Sequence, residues 1–405
     1  MRLVLPKSLN WLDQLQIVQN QLPLPLFDEV VIEFLNEFSK AILKNKSMRE
    51  YPELMATAYW LRKSHLEQLK NDYIDQIGDR IVLPRGTVLH FAPSNVDSIF
   101  IYSWVISMLV GNKNIIRLSQ NNSEQINILI QYFEQLLSQS KYESIKKSIL
   151  IISYEHNDQY TKLLSDVCDI RIIWGGDNTI QKIRSIPIPP MSTEIVFADR
   201  FSCVMLNSET VLKCTQDEFK LLIQNFYNDA YWFDQMACSS PKLVLWIGDE
   251  QTVGKAKDRF WNGLKEIIKQ KRYTLSESVS MNKLATSFYF SSKSETSAVY
   301  AFDSHVLHRV ELKNADELDR EAHCGAGLFL ELSLFTLTEA KSIFTKKDQT
   351  LSYYGFDKDE LIQLIKMTNG RGIDRIIPVG KALEFQEIWD GYNLPLYLTR
   401  EVSVL

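Results

Sequence analysis

Glycine is scarce in this chain, fifteen among 405 residues, and none of them spells a GxGxxG fingerprint. The commonest sequence sign of a dinucleotide-binding turn is therefore missing. The five cysteines (Cys168, Cys203, Cys214, Cys238, Cys324) form no CxxC pair and no metal-ligand spacing. Their odd number, with no signal peptide, makes reduced thiols and a cytoplasmic protein the expectation, and no metal site is expected. An excess of one charge is lacking too. The net charge is −5 with both signs mixed along the chain, so a nucleic-acid partner is not expected. The longest apolar run covers twelve residues, 99–110, and contains Tyr102, Ser103 and Trp104. It is too short to span a bilayer and reads as a buried helix. Internal repeats and low-complexity segments are absent.

What is present suffices for two domains, since 405 residues with 45% hydrophobic content can fill two cores. The first eighty residues read as helices, with Leu54, Ala58, Leu61, His65, Leu69, Tyr73 and Ile77 at three-to-four spacing. From Pro84 strands and helices alternate. Residues 87–92, 114–118, 149–154 and 170–174 read as strands. Residues 97–110, 158–167 and 178–186 read as helices, as does a segment capped by Ser123. This order predicts an α/β fold, a doubly wound, mostly parallel sheet with helices on both faces. Pro187-Ile188-Pro189-Pro190 interrupts the alternation and is read as the exit from the first domain. Beyond it come a helix over 215–230, strands at 243–247, 299–302, 328–335 and 373–378, and helices over 252–269 and near Glu339 and Asp359. Residues 270–296 are polar and aperiodic, and 395–404 read as a last strand.

Ligands of such sheets sit at the carboxyl ends of strands, which selects two loops. Phe91-Ala92-Pro93-Ser94-Asn95-Val96 offers an Asn amide to a ligand oxygen, although Ser94 and Asn95 equally suit a helix cap. Trp174-Gly175-Gly176-Asp177-Asn178-Thr179 opens a helix whose N–H groups suit a phosphate. Asp177 would repel that phosphate and reads better as the cap. Arg117 and Ser119 end the second strand, placed to meet a ribose or its phosphate; a surface salt bridge is the other reading of Arg117. The loop 370–380, with Arg371 and Arg375 among glycines, suits an anion or an interdomain contact. His323 reads equally as packing or acid, and His90 and His156 as structural.

One further stretch, NDAYWFDQMACSSP at 228–241, places Cys238 between an amphipathic helix and an apolar strand. A thiol at such a corner with small neighbours suits a nucleophile, which attacks as the thiolate. A small buried hydrophobe is the commoner role of a cysteine, and the local sequence leaves both open.

Five stretches together resemble the LuxC-type long-chain fatty acyl-CoA reductases, which make fatty aldehyde for bacterial bioluminescence: PRGTVLHFAPSNVDSIFIYSWVISMLVGNKNIIRLSQ at 84–120, WGGDNTIQKIR at 174–184, WFDQMACSSPKLV at 232–244, KDQTLSYYGF at 347–356 and NGRGIDRIIPVGKALEFQEIWDGY at 369–392. The resemblance implies an aldehyde dehydrogenase-like fold. A cofactor domain would cover 1–200, with the segment from about 380 to 405 returning to it or to a partner subunit, and a catalytic domain 201–380. It implies Cys238 as nucleophile and Asn95 as oxyanion donor, and a dinucleotide near Pro93, Ser94, Arg117, Ser119, Gly175, Gly176, Asp177 and Thr179. Arginine stands at 117 where the dehydrogenases have lysine, and its fork favours NADPH. The implied reaction is NADPH-dependent reduction of a fatty acyl-CoA or acyl-protein thioester to aldehyde, without a glutamate base; Glu194 lies in the general region of the dehydrogenases' one. An acyl-protein synthetase or acyl carrier protein is the implied partner, and a homo-oligomer the implied assembly. The competing readings are a cysteine acyltransferase or thioesterase without hydride transfer, and a non-catalytic partner of an acyl-activating enzyme.

Overall fold

A computed structural model describes residues 1–7, 10–93, 99–120, 123–292, 296–301 and 305–404. They form two compact units, one of Met1–Ala198 with Glu387–Leu405 and one of Asp199–Gln386.

The first unit begins with a strand that periodicity does not reveal, β1 (Arg2–Leu5). Four helices follow: α1 (Trp11–Asn20), α2 (Glu29–Lys44), α3 (Pro52–Trp60) and α4 (Lys63–Ile77). The stripe from Leu54 to Ile77 is thus two helices. Arg62 turns extended (φ −63°, ψ 143°) and stops the first of them. After the short β2 (Ile81–Pro84) come β3 (Thr87–Phe91), α5 (Ile99–Leu109), β4 (Lys113–Leu118), α6 (Glu124–Leu137) and α7 (Glu143–Lys147). Then follow β5 (Ile149–Ser153), α8 (Asp158–Ser165), β6 (Ile170–Trp174), α9 (Asp177–Arg184) and β7 (Thr193–Phe197). The apolar run expected to be a buried helix is α5, buried from Phe100 to Leu109.

The sheet order is β1-β5-β4-β3-β6-β7, parallel except for β1. Strands β3, β5 and β6 are buried at every position, as expected of a parallel sheet covered on both faces. Residues 187–190 do not end this sheet, because β7 follows them. The order in which strands are added reverses about β3, whose parallel neighbours are β4 on one side and β6 on the other, and this is the switch point at which such sheets bind ligands.

The second unit contains β8 (Phe201–Asn207), α10 (Ser208–Lys213), α11 (Gln216–Tyr231), β9 (Pro241–Ile247), α12 (Glu250–Lys271) and α13 (Glu277–Ser291). These are followed by β10 (Thr296–Ala301), β11 (His308–Leu312), β12 (Leu328–Leu334), β13 (Asp348–Tyr354), α14 (Lys358–Thr368) and β14 (Arg375–Pro378). Its sheet runs β10-β11-β12-β9-β8-β13-β14, parallel except at β10. One face packs Trp246 and Phe329 on Phe226, Phe260 and Trp261; the other packs Leu245 and Leu330 on Phe290 and Phe344. Buried Glu331 accepts from Trp246 Nε1 (2.8 Å), Trp261 Nε1 (2.9 Å) and Arg309 Nε (2.7 Å), so its charge is compensated within the core.

The chain then returns to the first unit. The short strands β15 (Ile388–Trp389) and β16 (Tyr392–Asn393) and the one-turn helix α15 (Leu394–Tyr397) precede β17 (Thr399–Val402), which pairs antiparallel with β2. Part of the segment expected to be strand is therefore helix, with Asn393 capping it. Among the described residues no helix is long and apolar enough to cross a membrane.

Candidate active site

The cysteine corner is built by α11. Thr215 and Glu218 close a capping box at its start, and Phe219, Leu222, Ile223, Phe226 and Ala230 are buried along one stripe. The helix ends at Tyr231, and residues 232–240 turn into β9. Asp234 (φ 49°) and Gln235 (φ 60°) are both left-handed, a conformation that costs non-glycine residues and persists only when neighbours enforce it. Fully buried Gln235 does the enforcing. Its Nε2 donates to the Pro241 carbonyl (2.8 Å) and the Leu328 carbonyl (2.9 Å), while its Oε1 accepts from Gly327 N–H (2.9 Å). Ala326 N–H donates to the Asp234 carbonyl at 2.7 Å. Gly325 (φ +70°) lies so close that a Cβ there would stand 2.8 Å from Met236 Sδ.

Cys238 is half-buried in this turn. Its carbonyl accepts from Ser202 Oγ at 2.6 Å. The serines after it serve the fold: both are buried, and Ser240 Oγ donates to the Asp229 carbonyl at 2.8 Å. Trp232 and Met236 flank the turn at about half exposure, 50% and 52%.

The other thiols are less suited to attack. Burial pushes Cys168 up to about 12 and Cys203 well above its ordinary range. Cys214 donates to the Val211 carbonyl (3.2 Å). Cys324 is also raised by burial, and its thiol faces the Gly325 carbonyl at 3.7 Å.

His323 is a packing residue. Its Nε2 lies 2.9 Å from the Leu328 carbonyl and its Nδ1 accepts from Gly325 N–H (3.1 Å), so both nitrogens are engaged and the ring is the neutral Nε2–H tautomer. Burial, with Lys242 nearby, pulls its pKa down to about 3. Of the two arginines of the 370–380 loop, Arg375 is spent within the fold and is not an anion ligand. Arg375 is buried, its guanidinium donating to the carbonyls of Ala382, Lys381 and Glu384. Asp374 pairs with Arg200.

In the first unit, the expected cofactor residues sit at the carboxyl ends of three adjacent strands at the switch point. Pro93 follows β3, Arg117 is near the end of β4 and Ser119 follows it, and Gly175, Gly176, Asp177 and Thr179 follow β6. Phe91 pairs with both Arg117 and Ile173, and Ala92 N–H donates to the Arg117 carbonyl (3.0 Å). The Arg117 guanidinium donates to the Tyr154 carbonyl (2.9 Å) and lies 5.2 Å from the centre of that ring. No carboxylate pairs with it among the described residues, and burial lowers its pKa. It is therefore not the surface salt bridge that was its other reading. Asp177 is not the cap of α9. Gly176 occupies that position without a side-chain bond, and Asp177 is the first helical residue. Gly175 N–H donates to the Phe197 carbonyl (3.2 Å), and Trp174 stacks on Phe197 at 3.8 Å. Ser94 and Asn95 lie outside the described residues.

Glu194 is committed elsewhere. It accepts from Arg171 Nη2 at 2.6 Å and Arg184 Nε at 2.8 Å. His90, fully buried between Ser103 Oγ (3.3 Å) and Asn114 Oδ1 (3.0 Å), has its pKa lowered to about 4 by burial and is structural. Sequence reasoning missed Gln235, Ser202 and Lys242. Only the last left a signal, a charge inside the apolar run of β9.

Two mostly parallel sheets covered by helices, with the cysteine corner leading into β9 of the second, make up an aldehyde dehydrogenase-like fold. Solved structures with this fold are extensive matches. A variant of the Thermus thermophilus 1-pyrroline-5-carboxylate dehydrogenase superposes with TM-score 0.64 at 11% identity, covering 97% of this chain and 83% of that one. A Corynebacterium glutamicum NAD-dependent benzaldehyde dehydrogenase gives 0.63 at 12%, covering 96% and 87%. A mutant of Bradyrhizobium japonicum proline utilization A gives 0.64 at 12%; 97% of this chain is covered, but it spans only 44% of that longer protein. No curated protein matches the sequence. Residues 61–400 match the family model described as acyl-CoA reductase (LuxC). The chain belongs to that family, an oxidoreductase of the acylating aldehyde dehydrogenase type.

Proposed function

We propose that the protein reduces a fatty acyl thioester to the aldehyde with NADPH, through an acyl-enzyme on Cys238. The observation that carries this reading is the half-buried cysteine at the helix-to-strand corner, inside the region matched to the acyl-CoA reductases. The Cys238 thiolate attacks the thioester carbonyl, forming a carbon–sulfur bond and expelling the donor thiol, which leaves with a solvent proton. A bound NADPH would supply the hydride that reduces this acyl-enzyme. The resulting thiohemiacetal then collapses, releasing aldehyde and restoring Cys238. The Asn95 amide and Cys238 N–H are the proposed oxyanion donors; each is worth about 2.7–4 kcal/mol in such sites. The exposed faces of Trp232 and Met236 would meet an apolar acyl chain.

The first unit is the proposed cofactor domain. Arg117 lacks a carboxylate partner among the described residues, which suits a phosphate, the 2′-phosphate of NADPH included. Packing does not require glycine at 175, where a Cβ would meet only Thr179 at an ordinary 3.5 Å, and α9 has no side-chain cap. Both features suit a pyrophosphate at the start of α9, with Pro93, Ser94 and Ser119 as its other proposed neighbours. The resemblance to the bioluminescence enzymes supports an acyl-CoA or acylated carrier or synthetase as donor, and a homo-oligomer.

Incubation with mixed acyl-CoAs, nicotinamide withheld, tests the reading. The expected mass spectrum shows one acyl group on wild type and none on Cys238→Ala, and NADPH added afterwards releases aldehyde. Labelling of the Ala variant would remove Cys238 from the reaction. Acylation without any nicotinamide affinity would favour a transferase or thioesterase.

A further inference from the structure

Phe201, at the start of β8, is surrounded by basic side chains. Lys242 Nζ lies 5.8 Å from its ring centre, Arg320 Cζ 5.6 Å, and the His323 ring stands edge-on at 5.8 Å. Most of this charge is already spoken for. Arg320 binds both oxygens of Asp348 (2.8 Å each) and the Ile343 carbonyl (2.7 Å). Lys347 pairs with Glu321 at 2.7 Å. His323 is neutral, with both nitrogens engaged. Asp234, on the cysteine turn, accepts from Tyr273 Oη at 2.5 Å.

Lys242 is the exception. It is half-buried, yet among the described residues its ammonium has neither a hydrogen bond nor an ion pair. A charge drawn out of water without a partner is unfavourable, so the site holds an unmet demand for an anion. The same two residues of β8 carry both groups. Phe201 lies under Lys242, and Ser202 ties down the Cys238 carbonyl while its backbone pairs with Pro241, the residue before Lys242. Burial lowers the pKa of the Lys242 ammonium; the neighbouring Cys238 and Asp199 act against burial, and Lys347 acts with it.

We propose that the Lys242 ammonium is the counter-charge that holds Cys238 as the thiolate. The inference rests on Cys238 being the nucleophile, and Lys242 is then a positioning residue acting through that sulfur. The thiol proton goes to solvent, and the ammonium keeps its own. The arrangement relieves two penalties at once, the unpaired cation and the half-buried thiolate, each of which alone would favour its neutral form. When the sulfur acylates, the anion vanishes and Lys242 is again unpartnered, which favours return of the thiolate on collapse of the thiohemiacetal.

The test is the pH profile of Cys238 alkylation by iodoacetamide, read by peptide mass spectrometry on the full chain without substrate. Wild type, Lys242→Met, Lys242→Gln and Lys242→Arg are compared. In the Met and Gln variants the midpoint is expected to rise by about one pH unit or more, with roughly tenfold slower alkylation at neutral pH. Lys242→Arg should restore most of the shift. Rates should converge above all midpoints, and that shared plateau, in two different substitutions, separates a lost charge from a damaged fold. Unmoved midpoints in Met and Gln, with a raised KM for acyl-CoA, would instead make Lys242 a substrate-anion contact and overturn the proposal. An Arg variant no better than Met would overturn it too. Cys238→Ala keeps the two readings apart: acylation and turnover surviving there would end the nucleophile assignment, whereas Cys238-dependent labelling with an unmoved midpoint would remove Lys242 alone.

Discussion

Gln235 Nε2 donates to the Pro241 carbonyl at 2.8 Å, bridging the turn that carries Cys238 from one side to the other. The rest of the same amide is used as well, on the Leu328 carbonyl and Gly327 N–H. The turn therefore keeps two successive left-handed residues, Asp234 and Gln235, against a strain of about 1–3 kcal/mol each. Gln235→Ala should leave buried backbone groups unsatisfied and destabilise the protein by roughly 2–4 kcal/mol. Gln235→Glu should destabilise at least as much, since its second carboxyl oxygen would face the two carbonyls it cannot donate to and any charge would be buried unpaired. Urea unfolding measures the first effect. The acylation rate of the folded fraction, expected to fall in both variants, measures the second.

Glu194 offers the contrasting case of a carboxylate held by two arginines, Arg171 and Arg184. Arg171 is nearly buried and relies on Glu194 for charge compensation, with the Ile186 carbonyl (2.7 Å) as a further acceptor. Removing one member of such a pair strands the other, at about 3–5 kcal/mol when fully buried; Arg184 and partial exposure of Glu194 reduce this. Glu194→Gln should lower the unfolding midpoint and leave turnover per folded molecule unchanged. A loss of turnover in fully folded Glu194→Gln would show that the carboxylate takes part in the chemistry.

The first sheet was legible because parallel strands buried on both faces appear as short β-branched runs, as in Ile149–Ser153 and Ile170–Trp174. The edge strand β1 is only four residues long, Arg2-Leu3-Val4-Leu5, and carries no such pattern. Helix α13 escaped for a different reason: its outward face holds Met281 and Phe288, 67% and 64% exposed, while Lys283, Thr286 and Ser287 are buried. Periodicity of apolar residues does not find a helix whose buried side is polar but for Phe290. The site divides along the same line. Cys238 and Arg117 could be singled out because their residue types suggest chemistry. Arg375 looked equally promising, but it spends its guanidinium on backbone carbonyls, which a sequence does not display. Gln235 and Ser202 act through hydrogen bonds to main chain over distances of up to ninety-three positions and leave no local mark.

Arg117 tests the cofactor assignment. Its guanidinium is oriented by the Tyr154 carbonyl and ring, with no carboxylate competing for it among the described residues. A charge-assisted contact to a phosphate is worth about 1.5–3 kcal/mol. Arg117→Ala should therefore weaken NADPH binding roughly tenfold to a hundredfold and NADH binding much less. Fluorescence titration with both nucleotides distinguishes this from an equal loss for the two, which would place the contact on the shared pyrophosphate or ribose instead.

Asp229 makes stability depend on pH. It is 1% exposed, on the last turn of α11, and its oxygens accept from Gly380 N–H (2.6 Å) and Ala382 N–H (3.0 Å). Burial outweighs those donors and Arg375, raising its pKa from 3.8 to about 7. Between these values the folded carboxyl holds a proton that the unfolded chain has released. Stability from this group is therefore full below the lower value, falls as pH rises, and levels off above about 7. The whole effect is at most roughly 4 kcal/mol, from about 1.36 kcal/mol per unit. Asp229→Asn cannot ionise and should lack this slope. Urea unfolding of both proteins from about pH 5 to about pH 8 should show the wild type losing ground to the variant as pH rises. A difference that stays constant across the range would mean that the two backbone donors, rather than burial, set the charge of Asp229.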